Sequence, residues 1–111
     1  MDDYETDYWL MEVFEDWFDP CPLHADFCGL ATPWPDKVFI NPPYSDPKPW
    51  VEKAIWHSEK GGKVVMLLKH DTSTEWYRML HEHGSKFLMI QGRLKYCTGK
   101  SAPFPSVLVV V

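Results

Sequence analysis

Within seven residues, Val38-Phe39-Ile40-Asn41-Pro42-Pro43-Tyr44 joins an apolar strand to an amide, two prolines and an aromatic ring. Proline cannot donate to a sheet ladder, so a strand through Ile40 must end here, with Asn41 and Tyr44 on a stiff turn at its carboxyl edge. In open α/β sheets ligands bind at that edge. One amide, outward backbone carbonyls and one aromatic face suit a flat ring bearing an amino group. The Asn41 side-chain carbonyl and the Pro42 backbone carbonyl can accept from such an amine, placing negative partial charge where positive charge develops. Tyr44 can stack on the ring, a contact that contributes about 1–3 kcal/mol for a base. Without its flanks, the same turn serves as well as a cap, with Tyr44 packed in the core.

A second candidate cluster is Asp19-Pro20-Cys21-Pro22, in which prolines stiffen a loop around one carboxylate able to accept from an amino group. Arg93, Lys95 and Lys100 form a third, a basic turn ahead of the final apolar run, where it can meet a nucleic-acid backbone. Lys69 to Glu75 follows an apolar run and can rim the same cleft as Asn41, although Asp71 or Thr72 can equally serve as a helix cap. Cys21, His24 and Cys28 match no common zinc spacing and lack a fourth partner. Gly99-Lys100-Ser101 resembles the end of a phosphate loop, but the earlier glycine that motif needs is Leu94. His57, His70, His81 and His83 are expected in solvent, the last two pointing apart on one helix.

Positioning these groups falls to alternating helices and strands. Apolar residues at Trp9, Leu10, Val13, Phe14 and Trp17 predict a helix over 7–17, with Thr6 or Asp7 as its cap. A proline-rich passage follows to Pro35. Strands are predicted over 37–40, 63–68, 86–90, 93–97 and 106–111, and helices from Pro47 to the Gly61-Gly62 stop and over 72–83. This alternation implies an α/β fold with a parallel-biased sheet, to which the closing strands can add an antiparallel edge.

The turn and its flanks resemble the phage-type DNA N6-adenine methyltransferases. The shared succession is Tyr4-Glu5-Thr6, a helix, Asp19-Pro20-Cys21-Pro22, Asn41 to Tyr44, Trp50-Val51-Glu52-Lys53-Ala54, Val64 to Leu68, Gly92-Arg93-Leu94 and Pro105-Ser106-Val107. It covers nearly the whole chain. The resemblance implies a truncated Rossmann-like (class I methyltransferase) three-layer sandwich, with a mostly parallel sheet and an antiparallel C-terminal edge. It also implies S-adenosylmethionine as cofactor, held by Thr6 and by Asp19, Pro20, Cys21 and Pro22. Adenine of DNA would be received by Asn41, Pro42, Pro43 and Tyr44, and Arg93 would match the family's Gly-Arg. Two departures stand out. The Asp19 loop contains no glycine, and about twenty residues separate it from Asn41, too few for two strands usual in that interval. The acidic contact to the cofactor ribose is therefore either lost or taken by a residue such as Asp26. That shortening also fits a second reading, a nonenzymatic nucleic-acid- or protein-binding module that lost its cofactor pocket. A methyltransferase for protein glutamine or RNA is a third.

Bulk properties bound these readings. The 111 residues suit one minimal domain, 1–111, able to bury about 65% of its unfolded surface. A homodimer could complete so thin a domain. Net charge is −5, yet residues 1–44 hold ten acidic and one basic side chain while residues 45–111 hold six and ten, so nucleic acid should meet the second part. The acidic start, the lack of a long apolar run and an odd cysteine count lead to a cytoplasmic expectation, in the host if a virus or mobile element encodes the chain.

Overall fold

Five apolar residues bracketed by Lys63 and Lys69 form a strand buried on both faces, and the domain is built around it. The computed structural model describes residues 8–21, 28–43, 45–90 and 105–111. In chain order these form α1 (Tyr8–Val13), β1 (Lys37–Ile40), α2 (Lys48–Glu59), β2 (Lys63–Lys69), α3 (Glu75–His83), β3 (Lys86–Met89) and β4 (Ser106–Val110). The expected strand over 93–97 lies outside the described residues.

Among the described residues the sheet order is β1-β2-β4-β3. β1 runs parallel to β2, with Ile40 opposite Met66, and β4 is antiparallel to both its neighbours. Strands β1, β2 and β3 thus share one direction and β4 alone is reversed. The expected antiparallel edge needs correcting in one respect: the reversed strand sits inside the sheet, because β4 inserts between β2 and β3. Beyond β1, Phe18 forms a parallel bridge to Val38, its N–H donating to Lys37 O and its carbonyl accepting from Phe39 N, each at 3.0 Å.

Strand alternation divides the core. Val38, Ile40, Val64, Met66, Leu68, Val107 and Val109 face α2 and α3, where they meet Trp50, Val51, Ala54, Trp76 and Leu80. Phe39, Val65 and Leu67 face the other way and pack with Leu10 of α1. Each fully buried aliphatic side chain contributes about 1.5–3 kcal/mol from area removed from water. The helix expected over 7–17 ends at Val13, since the chain must become extended by Phe18 to bond β1. Phe14 then stacks on Phe39, ring centroids 4.4 Å apart, and meets Trp17 edge-on at 5.2 Å.

Helix ends follow local chemistry. Pro47 precedes α2, where proline forfeits no helical bond, and Val51 N donates to Pro47 O at 3.0 Å. The two glycines after α2 have separate reasons. Gly61 adopts φ +93°, and Gly62 lies against the His57 ring, where a Cβ would collide. Helix α3 starts later than expected and is capped by Thr74, whose hydroxyl accepts from Tyr77 N at 3.3 Å. Neither Asp71 nor Thr72 caps it, because Asp71 Oδ1 is turned onto the N–H and hydroxyl of Ser73.

Candidate active site

Because Phe18 and β1 are parallel, the segments that leave their carboxyl ends emerge at one edge of the sheet. Asp19-Pro20-Cys21 continues from Phe18, and Asn41-Pro42-Pro43 from Ile40. The structure therefore brings the described parts of both expected loops to one edge. Thr6, Pro22, Tyr44, Arg93, Lys95 and Lys100 lie outside the described residues, as do His24 and Asp26.

In the second loop Asn41 and Pro43 are half-buried and Pro42 is buried, so the turn is seated on the sheet. Pro43 O accepts from Asp46 N at 3.3 Å, which closes the turn before α2. In the first, Asp19 Oδ1 accepts from the Cys21 N–H at 2.9 Å and Pro20 is fully buried. More than a third of the Asp19 residue surface is open, but crowding around its carboxyl removes water and raises its pKa, against the lowering effect of the Cys21 N–H. Burial also pushes the Cys21 thiol up to about 11, and the nearby Asp19 charge adds to the shift.

Sequence reasoning missed the support under this first loop. Gly29 lies so close to the Pro20 carbonyl and the Trp50 ring that a Cβ would overlap both. Gly29, nine residues on, thus lets its backbone pack directly against that of Pro20. Gly29 O accepts from Trp34 Nε1 at 2.9 Å and from Lys53 Nζ at 3.3 Å, and the same ammonium reaches Leu30 O at 2.8 Å and Thr32 O at 2.6 Å. Lys53 also lies over the Trp34 ring, 4.8 Å from its centroid. One sequence signal pointed here. Lys53 stands three residues after buried Trp50, on the flank of the inward face of α2.

At the third segment of this edge, His70 stacks on Tyr77 with centroids 5.9 Å apart, and its backbone N–H donates to Pro105 O at 2.9 Å. Thr72, Ser73, Thr74, Tyr77, Arg78 and His81 line a shallow groove beside it. The expectation of solvated histidines fails for three of the four. His70 is held by this stack, His57 Nε2 is buried against Gly62, and His83 Nε2 lies 3.4 Å from Ser58 Oγ. His81 is exposed.

These features define an α/β domain with two proline-stiffened loops at the carboxyl edge of parallel chain segments, the edge where such folds bind ligands. The chain belongs to the DNA N-6-adenine-methyltransferase (Dam) family, whose profile matches residues 22–104. It is 37% identical over 57 residues to a DNA N-6-adenine-methyltransferase of Escherichia phage T1, covering 51% of this chain and 24% of that protein. It is 30% identical over an alignment of 119 positions to a DNA N-6-adenine-methyltransferase of Haemophilus phage HP1 (strain HP1c1), covering 91% of this chain and 65% of that protein. The chain thus spans less than two thirds of either relative. No solved structure matches it.

The family implies a methyl donor. The residues at this edge fit a cationic donor that carries an amino group, because Asp19 offers a partly desolvated carboxylate held in place by the Cys21 N–H. Among the described residues no group of histidine, cysteine and carboxylate side chains is placed to hold a metal. No described helix is long and apolar enough to cross a membrane.

Proposed function

We propose that the domain transfers a methyl group from S-adenosylmethionine to N6 of adenine in DNA, on a truncated Rossmann-like three-layer fold. The observation that carries this reading is the parallel bridge between Phe18 and Val38, which sends Asp19-Pro20 and Asn41-Pro42 out at the same sheet edge. The reversal of β4 alone and the helices on both sheet faces support the fold assignment.

When bound, the donor supplies an electrophilic methyl carbon on a sulfonium. The N6 lone pair of adenine is delocalised into its ring, so the amine is a weak nucleophile until its hydrogens are held. Asn41 and the Pro42 carbonyl accept those hydrogens and favour the localised lone pair. The turn's rigidity sets the in-line approach, which makes positioning more important than a general base. Extruding the base from a duplex costs a few kcal/mol, roughly. Stacking on Tyr44 returns about 1–3 kcal/mol of this. Asp19, with Thr6, Pro20, Cys21 and Pro22, holds the donor, and Arg93, Lys95 and Lys100 hold DNA phosphates.

The test is methyl incorporation from donor labelled on its methyl group, offered in parallel with DNA, RNA and protein. Label in DNA adenine alone is the expected result. Label in RNA or protein would reassign the turn to another planar amine or amide. No label, together with no heat when the donor is titrated in, would leave a binding module, the reading that the short span from Cys21 to Asn41 favours.

A further inference from the structure

Lys53, on the flank of α2, is half-buried and its ammonium is turned onto backbone rather than onto a carboxylate. Its ammonium is spent on three backbone carbonyls of one short passage, those of Gly29, Leu30 and Thr32, at 3.3, 2.8 and 2.6 Å. Partial desolvation lowers its pKa, against the raising effect of the nearby Cys28. Trp34 closes the same passage, donating from Nε1 to Gly29 O at 2.9 Å while its ring lies under the ammonium. The passage ends against the first loop, since Gly29 has no room for a Cβ beside the Pro20 carbonyl. Pro20 is fully buried and is flanked by Asp19 and Cys21, which are joined by their own hydrogen bond. A chain of direct contacts therefore runs from Lys53 through Gly29 to Pro20 and Asp19.

We propose that Lys53 is a positioning residue for the methyl-donor side of the site: by gathering the carbonyls of residues 29–32 it presses Gly29 against Pro20 and so fixes where the Asp19 carboxylate stands. The inference rests on the functional reading above. It deepens that reading by naming what sets the position of the Asp19 loop, a contact chain that starts at Lys53. Charge alone does not account for the arrangement, because an ammonium serving only solubility has no need to converge on three backbone carbonyls.

Lys53→Met keeps the aliphatic stem and removes the three donors, Lys53→Arg restores a cation, and Gly29→Ala strikes the same contact from the other side. Two readouts are needed, donor affinity by calorimetry and exchange of the Cys21 amide hydrogen by NMR, with DNA affinity measured alongside. Lys53→Met and Gly29→Ala should each weaken donor binding by roughly three- to thirtyfold, the range that couplings through packed contacts span. They should also speed exchange of the Cys21 amide and leave DNA affinity within about twofold, the spread left between uncoupled sites. Lys53→Arg should recover most of the donor affinity. Equal loss of donor and DNA affinity would show a general structural role and overturn the proposal, as would unchanged Cys21 exchange in both variants. Should Lys53→Met fail to fold, Gly29→Ala decides the matter by the same two readouts. If the unsubstituted protein binds no donor while Cys21 exchange still responds to Lys53→Met, the coupling stands and the functional reading falls.

Discussion

At the scale of single residues, two groups at one sheet edge are assigned different duties, and substitution should separate them. Asn41→Ala removes one acceptor for the amine, and methyl transfer should fall by about 10²–10³, as when one preorganised partner of a developing charge is lost. Circular dichroism should show the fold retained, and wild-type turnover in the variant would remove Asn41 from the chemistry. Asp19 has the opposite balance between stability and function. Its pKa is raised in the folded chain, so the stability linked to it is present below the ordinary carboxylate range and is lost as pH rises through the raised value. Asp19→Asn should therefore leave the melting temperature at pH 7 unchanged or higher while donor binding drops, a combination that calorimetry and thermal melts would check together. The thiols differ as well. Cys28 is exposed, whereas Cys21 is half-buried and shifted to about 11, so an alkylating agent at pH 8 should mark Cys28 before Cys21 by mass spectrometry. Asn41, Pro42, Asp19 and Pro20 were legible in the sequence because proline and a polar tip announce themselves locally. Lys53 was visible only as part of the Trp50-to-Ala54 run, and Gly29 and Trp34 not at all, since their importance arises when Lys53 closes on a passage more than twenty positions earlier. The histidines misled for the same reason: His57 Nε2 is covered beside Gly62 and half-buried His70 stacks on Tyr77, through tertiary packing that no local pattern encodes.

At the scale of elements, helix and strand types followed the pattern of apolar residues, and boundaries followed backbone bonding. Strand β2 was plain from its five apolar residues between two lysines. The first helix was overextended by periodicity, because Phe14 and Trp17 keep helical spacing while packing from a turn. The start of α3 was misplaced because Asp71, Thr72 and Thr74 are all competent caps by composition, and only the turn at Ser73 decides among them. Its far end is less ambiguous. Gly84 closes α3 at φ +90° with open space around it, so Gly84→Ala pays only for backbone strain and should cost about 1 kcal/mol. Chemical denaturation would measure this as a shifted midpoint at constant slope, and an unshifted midpoint would contradict the left-handed cap. The exposed pair Lys48–Glu75, at 3.3 Å, joins the first turns of α2 and α3 and contributes ~0–1 kcal/mol at most.

At the scale of the whole molecule, charge is divided along the chain and the binding it supports should be modest. With Arg93, Lys95 and Lys100 as the phosphate contacts, the logarithm of DNA affinity should fall with the logarithm of salt at a slope of about −3. Replacing Lys95 and Lys100 with Met should make that slope shallower by about two, and an unchanged slope would move the phosphate contacts elsewhere. The mixed sheet was foreseen in kind, but strand order was not, because periodicity carries no information about which strand lies beside which.

That order has a consequence during synthesis. Strand β3 leaves the ribosome before β4, yet in the finished sheet β4 lies between β3 and β2. Among the described strands, until β4 is made β2 has its paired edge on β1 and a bare edge opposite, and β3 lacks the neighbour it has in the finished sheet. The nascent chain thus carries a long apolar template, Val64 to Leu68, open to pairing with any passing strand, including another nascent copy of itself. Such a product is vulnerable to aggregation until β4 slides into the gap.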